Sequence, residues 1–385
     1  MRSSRLASLF TAGLVDSFGL ALGWTLLALR LQETRGMAAL GAMGAATLLG
    51  VALSAPLTTW LTRRVSGRTL LRSTAGAEGC LRLITWLLLL ANAPLPLLAA
   101  SVMAMSVLAW TGYAAMRAEV AAADPSPEAI TRYPAVITAV EAAAATVAAL
   151  LPSWDAGSFL GVVVIGLYVA SLLPTWLVAR RATVVPVPRT HAAAVHRSPA
   201  WWLRLGAGAG VMLLAAGPTL LAIGLANDLH GRRGVAMSAA AFTAGALLAP
   251  SLVRRVVRHG MLSWPWLGAC VLAGWPLASR GLFGLVLAQL LSGAALTLFE
   301  GVMDAPVATG GSAVTSGLAW NTAARALAGA AAVALMPGMV AAFTLPVLSG
   351  AGIAVLLAAG LMTVTVQRAH RIRRHALQDV LLTPG

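Results

Sequence analysis

The chain has 385 residues, 59% of them hydrophobic and 10% charged, with a mean hydropathy of +0.84. A soluble domain carries about 25% charged residues, so the composition argues against a water-soluble enzyme, a disordered chain and a coiled coil alike. All 27 basic residues behind the formal charge of +15 are Arg; they lie between apolar runs rather than among stacking aromatics, the pattern of membrane topology signals and not of nucleic-acid binding.

A bilayer core about 30 Å thick needs about 20 apolar residues to cross it as a helix. Twelve such runs are predicted, near 6–30, 37–61, 69–91, 94–116, 129–151, 157–179, 201–226, 234–253, 261–279, 281–303, 313–336 and 342–366. They are too long for barrel strands and lack period-two alternation. The expected fold class is an all-α membrane protein.

In chain order, the first run carries Trp24 and, about ten residues in, Asp16. A charge at mid-bilayer costs about 2.5–3.5 kcal/mol, so such residues usually face a cavity or a partner. Asp16 reads as a proton-coupling or substrate-binding carboxylate, or as a protonated acid bonded to a neighbouring backbone. The second run ends at Ala55-Pro56, shortly before Arg63, Arg64 and Arg68. On the third, Glu78 and Arg82 share a helix face at i, i+4 and read as a local self-neutralising pair. The fourth holds Trp110 and Tyr113 and closes at Glu119. Glu141 lies mid-way along the fifth.

Residues 180–200 differ from the rest: prolines at 186, 188 and 199 disfavour a helix. They are expected to form a cytoplasmic linker between a six-helix bundle at 1–179 and a second at 201–366, with a cytoplasmic tail at 367–385. In the second half, Ala249-Pro250 precedes Arg254 and Arg255, Glu300 ends the tenth run, and the eleventh carries Trp320, Asn321 and Arg325. Trp24, Tyr113 and Trp320, with Trp110, are aromatics that can line a cavity and stack on a substrate.

With the N-terminus inside, cytoplasmic segments hold 20 Arg and outer segments five. The positive-inside rule then puts both termini in the cytoplasm and requires an even number of spans. The halves also match each other: Ala55-Pro56 with Ala249-Pro250, Gly112…Glu119 with Gly293…Glu300, and Glu141 with Arg325 at equal depth in matching segments. Internal repeats of this size mark secondary transporters.

Twelve spans, a 6+6 split and a central linker resemble the major facilitator superfamily, and the resemblance covers nearly the whole chain. Residues 55–68, Ala-Pro-Leu-Thr-Thr-Trp-Leu-Thr-Arg-Arg-Val-Ser-Gly-Arg, look like a degraded form of that family's loop between spans two and three, with Thr62 at the acidic position. The resemblance implies two pseudo-symmetric six-helix bundles working by alternating access. It implies a cytoplasmic latch pairing Glu119 with Arg63, Arg64 or Arg68, and Glu300 with Arg254 or Arg255. It also places Glu141 and Arg325, with Asn321 on the Arg325 face, at the bundle interface, either as an ion pair that substrate or a proton breaks or as a static packing pair.

No Walker lysine, histidine metal-ligand spacing, Gly-x-Ser-x-Gly elbow or paired-Asp diphosphate motif is found, so no metal, no cofactor and no catalytic residue is expected. The expected protein is not an enzyme but a monomeric, multi-pass transporter of the plasma (cell inner) membrane. It moves a small, partly apolar molecule, with the proton as coupling ion, as an efflux antiporter. A membrane-embedded enzyme acting on lipid and a transporter-like sensor are the alternatives.

Overall fold

The computed structural model describes residues 2–124, 127–151, 159–186, 199–257, 263–308 and 314–382. Helices account for all the regular structure among them. Where lipid replaces water, each backbone N–H and C=O must find its partner within the chain, and a helix satisfies both locally.

α1 (Arg2–Leu61) runs up, turns at Gly36 and runs back down. α2 (Gly67–Leu90) starts at Ser66, whose hydroxyl accepts from the Thr69 amide at 3.3 Å. α3 (Leu95–Ala123) starts behind Pro94, and α4 (Pro127–Leu150) follows. α5 (Phe159–Ala170) and α6 (Leu173–Val178) continue into a 3₁₀ turn, Ala179–Arg181. α7 (Pro199–Ala215), α8 (Gly217–Leu220) and α9 (Ala222–Val257) open the second half, and α9 turns back on itself at Gly231. α10 (Ser263–Ala273), α11 (Trp275–Ala278), α12 (Leu282–Ala308), α13 (Val314–Ala342) and α14 (Leu345–Leu382) complete the chain.

Among the described residues, seven helical stretches are long and apolar enough to cross a bilayer: Ser4–Leu61, Leu95–Ala123, Phe159–Arg181, Ala222–Leu252, Leu282–Asp304, Trp320–Ala342 and Leu345–Val366. The sequence-predicted runs 6–30 and 37–61 are the two helical arms that meet at Gly36, a residue outside helical φ/ψ. Three breaks elsewhere share a cause. α6, α8 and α11 each carry Pro at their first or second position, Pro174, Pro218 and Pro276. A proline cannot donate to the preceding turn, so the ladder is interrupted and restarts there.

The two hairpin helices resemble each other closely. Gly36 (φ 78°, ψ −179°) and Gly231 (φ 65°, ψ −167°) hold a backbone conformation open essentially to glycine alone. Each is followed at a similar distance by a proline inside the returning arm, Pro56 and Pro250.

Two apolar clusters are drawn wholly from residues before 183, one around Met43, Trp86 and Tyr168, the other around Leu9, Leu71 and Tyr133. A third, around Trp264, Trp275 and Phe299, is drawn mainly from residues after 210. Trp264, which the sequence suggests as an interfacial anchor, is in fact 2% exposed and meets Phe299 edge-on at 6.2 Å. Between the halves, α1 packs on α13 and α4 on α9. The α1–α13 seam is close because it is lined with small residues: a Cβ on Gly44 would stand 2.7 Å from Val333 Cγ1.

Candidate functional site

A cavity of about 400 Å³ opens between α1, α2, α3, α4, α12 and α13. Its wall includes Asp16, Glu78, Glu141, Glu300 and Asp304. These are five of the chain's twelve carboxylate side chains, gathered from four helices into one chamber. Acids spread over remote stretches of chain thus converge on one space.

One side is organised by Arg82, which is fully buried. Its Nε donates to Glu78 Oε1 at 2.9 Å and its Nη2 to the same oxygen at 2.5 Å. Nη2 also reaches Asp16 Oδ1 at 2.7 Å, and Nη1 donates to Tyr168 O and Ser171 Oγ, both at 2.8 Å. The five N–H groups of the guanidinium therefore each have an acceptor, and the Tyr168 ring lies 4.9 Å below it. The expected Glu78–Arg82 pair forms, but it is not self-contained: Asp16 joins it across helices. Two carboxylates share one cation, and the Asp16 side chain, 25% exposed, faces the cavity.

On the opposite side Arg325 pairs with Asp304 at 3.2 Å, and Asn321 Nδ2 lies 3.4 Å from Asp304 Oδ1 and from Met303 O. The expected Glu141–Arg325 ion pair does not form. Both residues line the cavity, but Arg325 is taken by an acid one helical turn beyond Glu300. The sequence reading missed Asp304; its signal was that i, i+4 spacing, which puts Glu300 and Asp304 on one face of α12. Among the described residues, neither Glu141 nor Glu300 has a hydrogen bond or an ion pair.

Aromatic rings complete the wall. Trp110 meets Tyr113 edge-on at 5.6 Å, and Tyr113 stacks on Tyr133 at 6.1 Å. Arg117 also lines the cavity, with its guanidinium 5.8 Å from the Tyr113 ring centre. Trp24 is instead half-buried against the first-half core. Trp320 lies outside the chamber, in a separate groove of about 760 Å³ with Ala52, Leu53, Trp60, Arg63, Arg64 and Leu327.

Among the described residues, Glu119 does not make the expected latch with Arg63, Arg64 or Arg68. Glu119 is fully buried, but its partners are Arg5 at 2.5 Å and the amides of Thr183 and Val184 at 2.9 Å. These contacts tie the helix end to the start of the 180–200 segment and leave the carboxylate no room for a third helix. Arg64 stacks over Trp60 at 4.1 Å. Arg63 borders the groove and Arg68 is exposed, and none of the three Arg is in an ion pair among the described residues. Glu300 faces the cavity rather than a gate, and the side chains of Arg254 and Arg255 lie outside the described residues.

A polar clasp that the sequence reading passed over sits on the two glycine turns. Gln32 Nε2 donates to Gly224 O at 3.0 Å and to the Asp228 carboxylate, while Asn227 Nδ2 donates to Gln32 Oε1 at 3.3 Å. Arg232 pairs with Glu33 at 3.0 Å and donates to Leu151 O at 2.8 Å. Thr146 Oγ1, 3.4 Å from Ala236 O, adds to the same end. All of these side-chain hydrogen bonds join residues before 187 to residues after 198. These contacts hold the two halves together at that end.

No protein-family profile matches the sequence, and no curated protein does either. Solved structures do match along nearly the whole chain. The nucleoside transporter NupG superposes with a TM-score of 0.70 at 13% identity, covering 93% of this chain and 98% of that one. XylE, the xylose transporter from E. coli, gives 0.67 at 14% identity with 93% and 95% covered, and the peptide transporter POT gives 0.66 at 13% identity with 94% and 95% covered. At these identities the likeness is one of fold, and the chain accordingly shares the all-helical fold of these three solved structures.

Proposed function

We propose that the protein is a proton-coupled secondary transporter of a small molecule, working by alternating access. In this reading the two turns of α1 and α9 and the in-line short helices resolve into twelve spans, arranged as bundles at 1–179 and 201–366. The Arg asymmetry puts both termini in the cytoplasm of a plasma-membrane protein. The clasp then closes the outer face, and the cavity communicates with the inside.

The observation that carries the reading is the gathering of carboxylates between the halves. Five acids face three guanidiniums, Arg82, Arg117 and Arg325, and an unmatched charge in such a chamber is costly. Protons that bind and leave as the chamber changes sides remove that cost, and this couples a proton gradient to the rocking. Asp16 couples through Arg82, which it shares with Glu78. Glu141, with no fixed partner, is the direct proton carrier.

The test is flux in proteoliposomes under an imposed pH gradient, with candidate solutes found by thermal stabilisation of the purified protein. Gradient-driven uptake or release that is lost in Asp16→Asn and Glu141→Gln supports the reading. Undiminished gradient response in both variants overturns the coupling assignment. The same assay reads the direction of transport.

A further inference from the structure

We infer that the transported solute is a monovalent organic cation with an aromatic or apolar body, held by Glu141 and Glu300 against the Trp110–Tyr113–Tyr133 wall. This rests on the transporter reading above and narrows its substrate.

The argument is a matching of charge and shape. Of the five cavity acids, Asp304 is spoken for by Arg325, and Asp16 and Glu78 by Arg82. Glu141 of α4 and Glu300 of α12 are left with no donor among the described residues, yet both border the same space. They come from the two halves, so a cation between them bridges the lobes that must rock. The groups facing Glu141 are Asp16 from α1, Glu78 and Arg82 from α2, Tyr113 and Arg117 from α3, Tyr133 from its own helix, Glu300 and Asp304 from α12, and Arg325 from α13. That set keeps an excess of negative charge, so an anion is repelled, while a cation takes the place that a proton otherwise fills.

The aromatic wall selects the rest of the solute. Ring faces attract a cation by their quadrupole, most strongly where water is excluded. Tyr113 and Tyr133 stack with their planes 23° apart, and Trp110 stands edge-on to Tyr113, a surface for a flat or bulky apolar group. A chamber of about 400 Å³ is at the small end of drug-sized pockets. Charge balance gives the exchange: with Glu141 or Glu300 protonated in the empty chamber, one arriving cation displaces one proton.

The experiment uses the purified full-length protein and the probes tetraphenylphosphonium and ethidium, with benzoate and uridine as anionic and neutral controls. Isothermal titration should show both cations binding, about ten-fold more weakly at pH 6 than at pH 8, with close to one proton released per cation at pH 6 in weakly buffered solution and less at pH 8. Glu141→Gln or Glu300→Gln should weaken binding at least ten-fold, and Tyr113→Ala should do so for the cations at either pH. Proton release is read on the unaltered protein, so a variant that fails to fold does not blunt the test. Binding of benzoate or uridine in preference to both cations, or cation binding without proton release, overturns the inference. If a neutral or anionic solute is then driven by a pH gradient in proteoliposomes, the substrate class is wrong while the transporter reading stands. If the cations bind with proton release but no gradient moves them, the site assignment holds and transport fails.

Discussion

Arg82 Nη2 lies 2.7 Å from Asp16 Oδ1 across the α1–α2 contact, while Glu78 on its own helix holds the same nitrogen at 2.5 Å. Removing the cation strands two acids in a low-dielectric setting. Breaking a buried pair from one side costs about 3–5 kcal/mol, whereas replacing the whole set by apolar or neutral groups is often neutral. Arg82→Met should therefore lower the melting temperature sharply. The deficit should shrink in acidic buffer, where the stranded acids take up protons, and the variant that also carries Asp16→Asn and Glu78→Gln should recover. An unchanged melting curve for Arg82→Met alone would show that the cluster is not a structural centre.

The clasp makes a separate forecast about conformation. A hydrogen bond to a charged group contributes about 1.5–3 kcal/mol, and about 1.4 kcal/mol is a tenfold shift in population. Gln32→Ala combined with Glu33→Ala removes the contacts to Asp228, Asn227, Gly224 and Arg232. Spin labels at positions 30 and 233, on a Cys80→Ser and Cys270→Ser background, should show a longer-distance population at least tenfold larger than in the parent. An unaltered distance distribution would mean that the clasp contributes nothing to closing that face.

Glu119 anchors the first residues after the 3₁₀ turn by accepting from two backbone amides. Glu119→Ala leaves Arg5 and both amides without that acceptor, at a cost of about 1–3 kcal/mol for the buried donors. Hydrogen exchange at Thr183 and Val184 should accelerate at least tenfold while that of α2 and α3 stays close to the parent. Equal exchange in both proteins would place the anchoring elsewhere.

Gly36→Ala should destabilise by about 1–3 kcal/mol although a Cβ there would meet no atom within 4 Å. The cost is backbone strain and not collision. Gly76→Ala, inside α2 with equally open surroundings, serves as the control and should be neutral or slightly stabilising. Matching melting temperatures for the two variants would remove the argument from φ.

The helical membrane fold was legible because apolar runs of about 20 residues have few other uses. The local Glu78–Arg82 pair was legible too, since i, i+4 neighbours are fixed by helix geometry alone. What was not legible depends on which helices face each other. Asp16 joining Arg82, Asp304 displacing Glu141 at Arg325, and Arg5 displacing Arg63, Arg64 and Arg68 at Glu119 are choices between chemically equal partners. Only tertiary packing decides among them. Gln32, Asn227 and Asp228 escaped for another reason: polar residues at the ends of spans are common, and nothing local distinguishes a clasp from a solvated turn.

The reversals at Gly36 and Gly231 each spend one residue on turning the chain around. A hairpin that tight offers a protease nothing to seize and an antibody almost nothing to grip, and it has no slack to absorb an inserted epitope tag. Surface labelling of this protein, from whichever side of the bilayer that face looks out, is better directed at side chains flanking the bends than at the bends themselves.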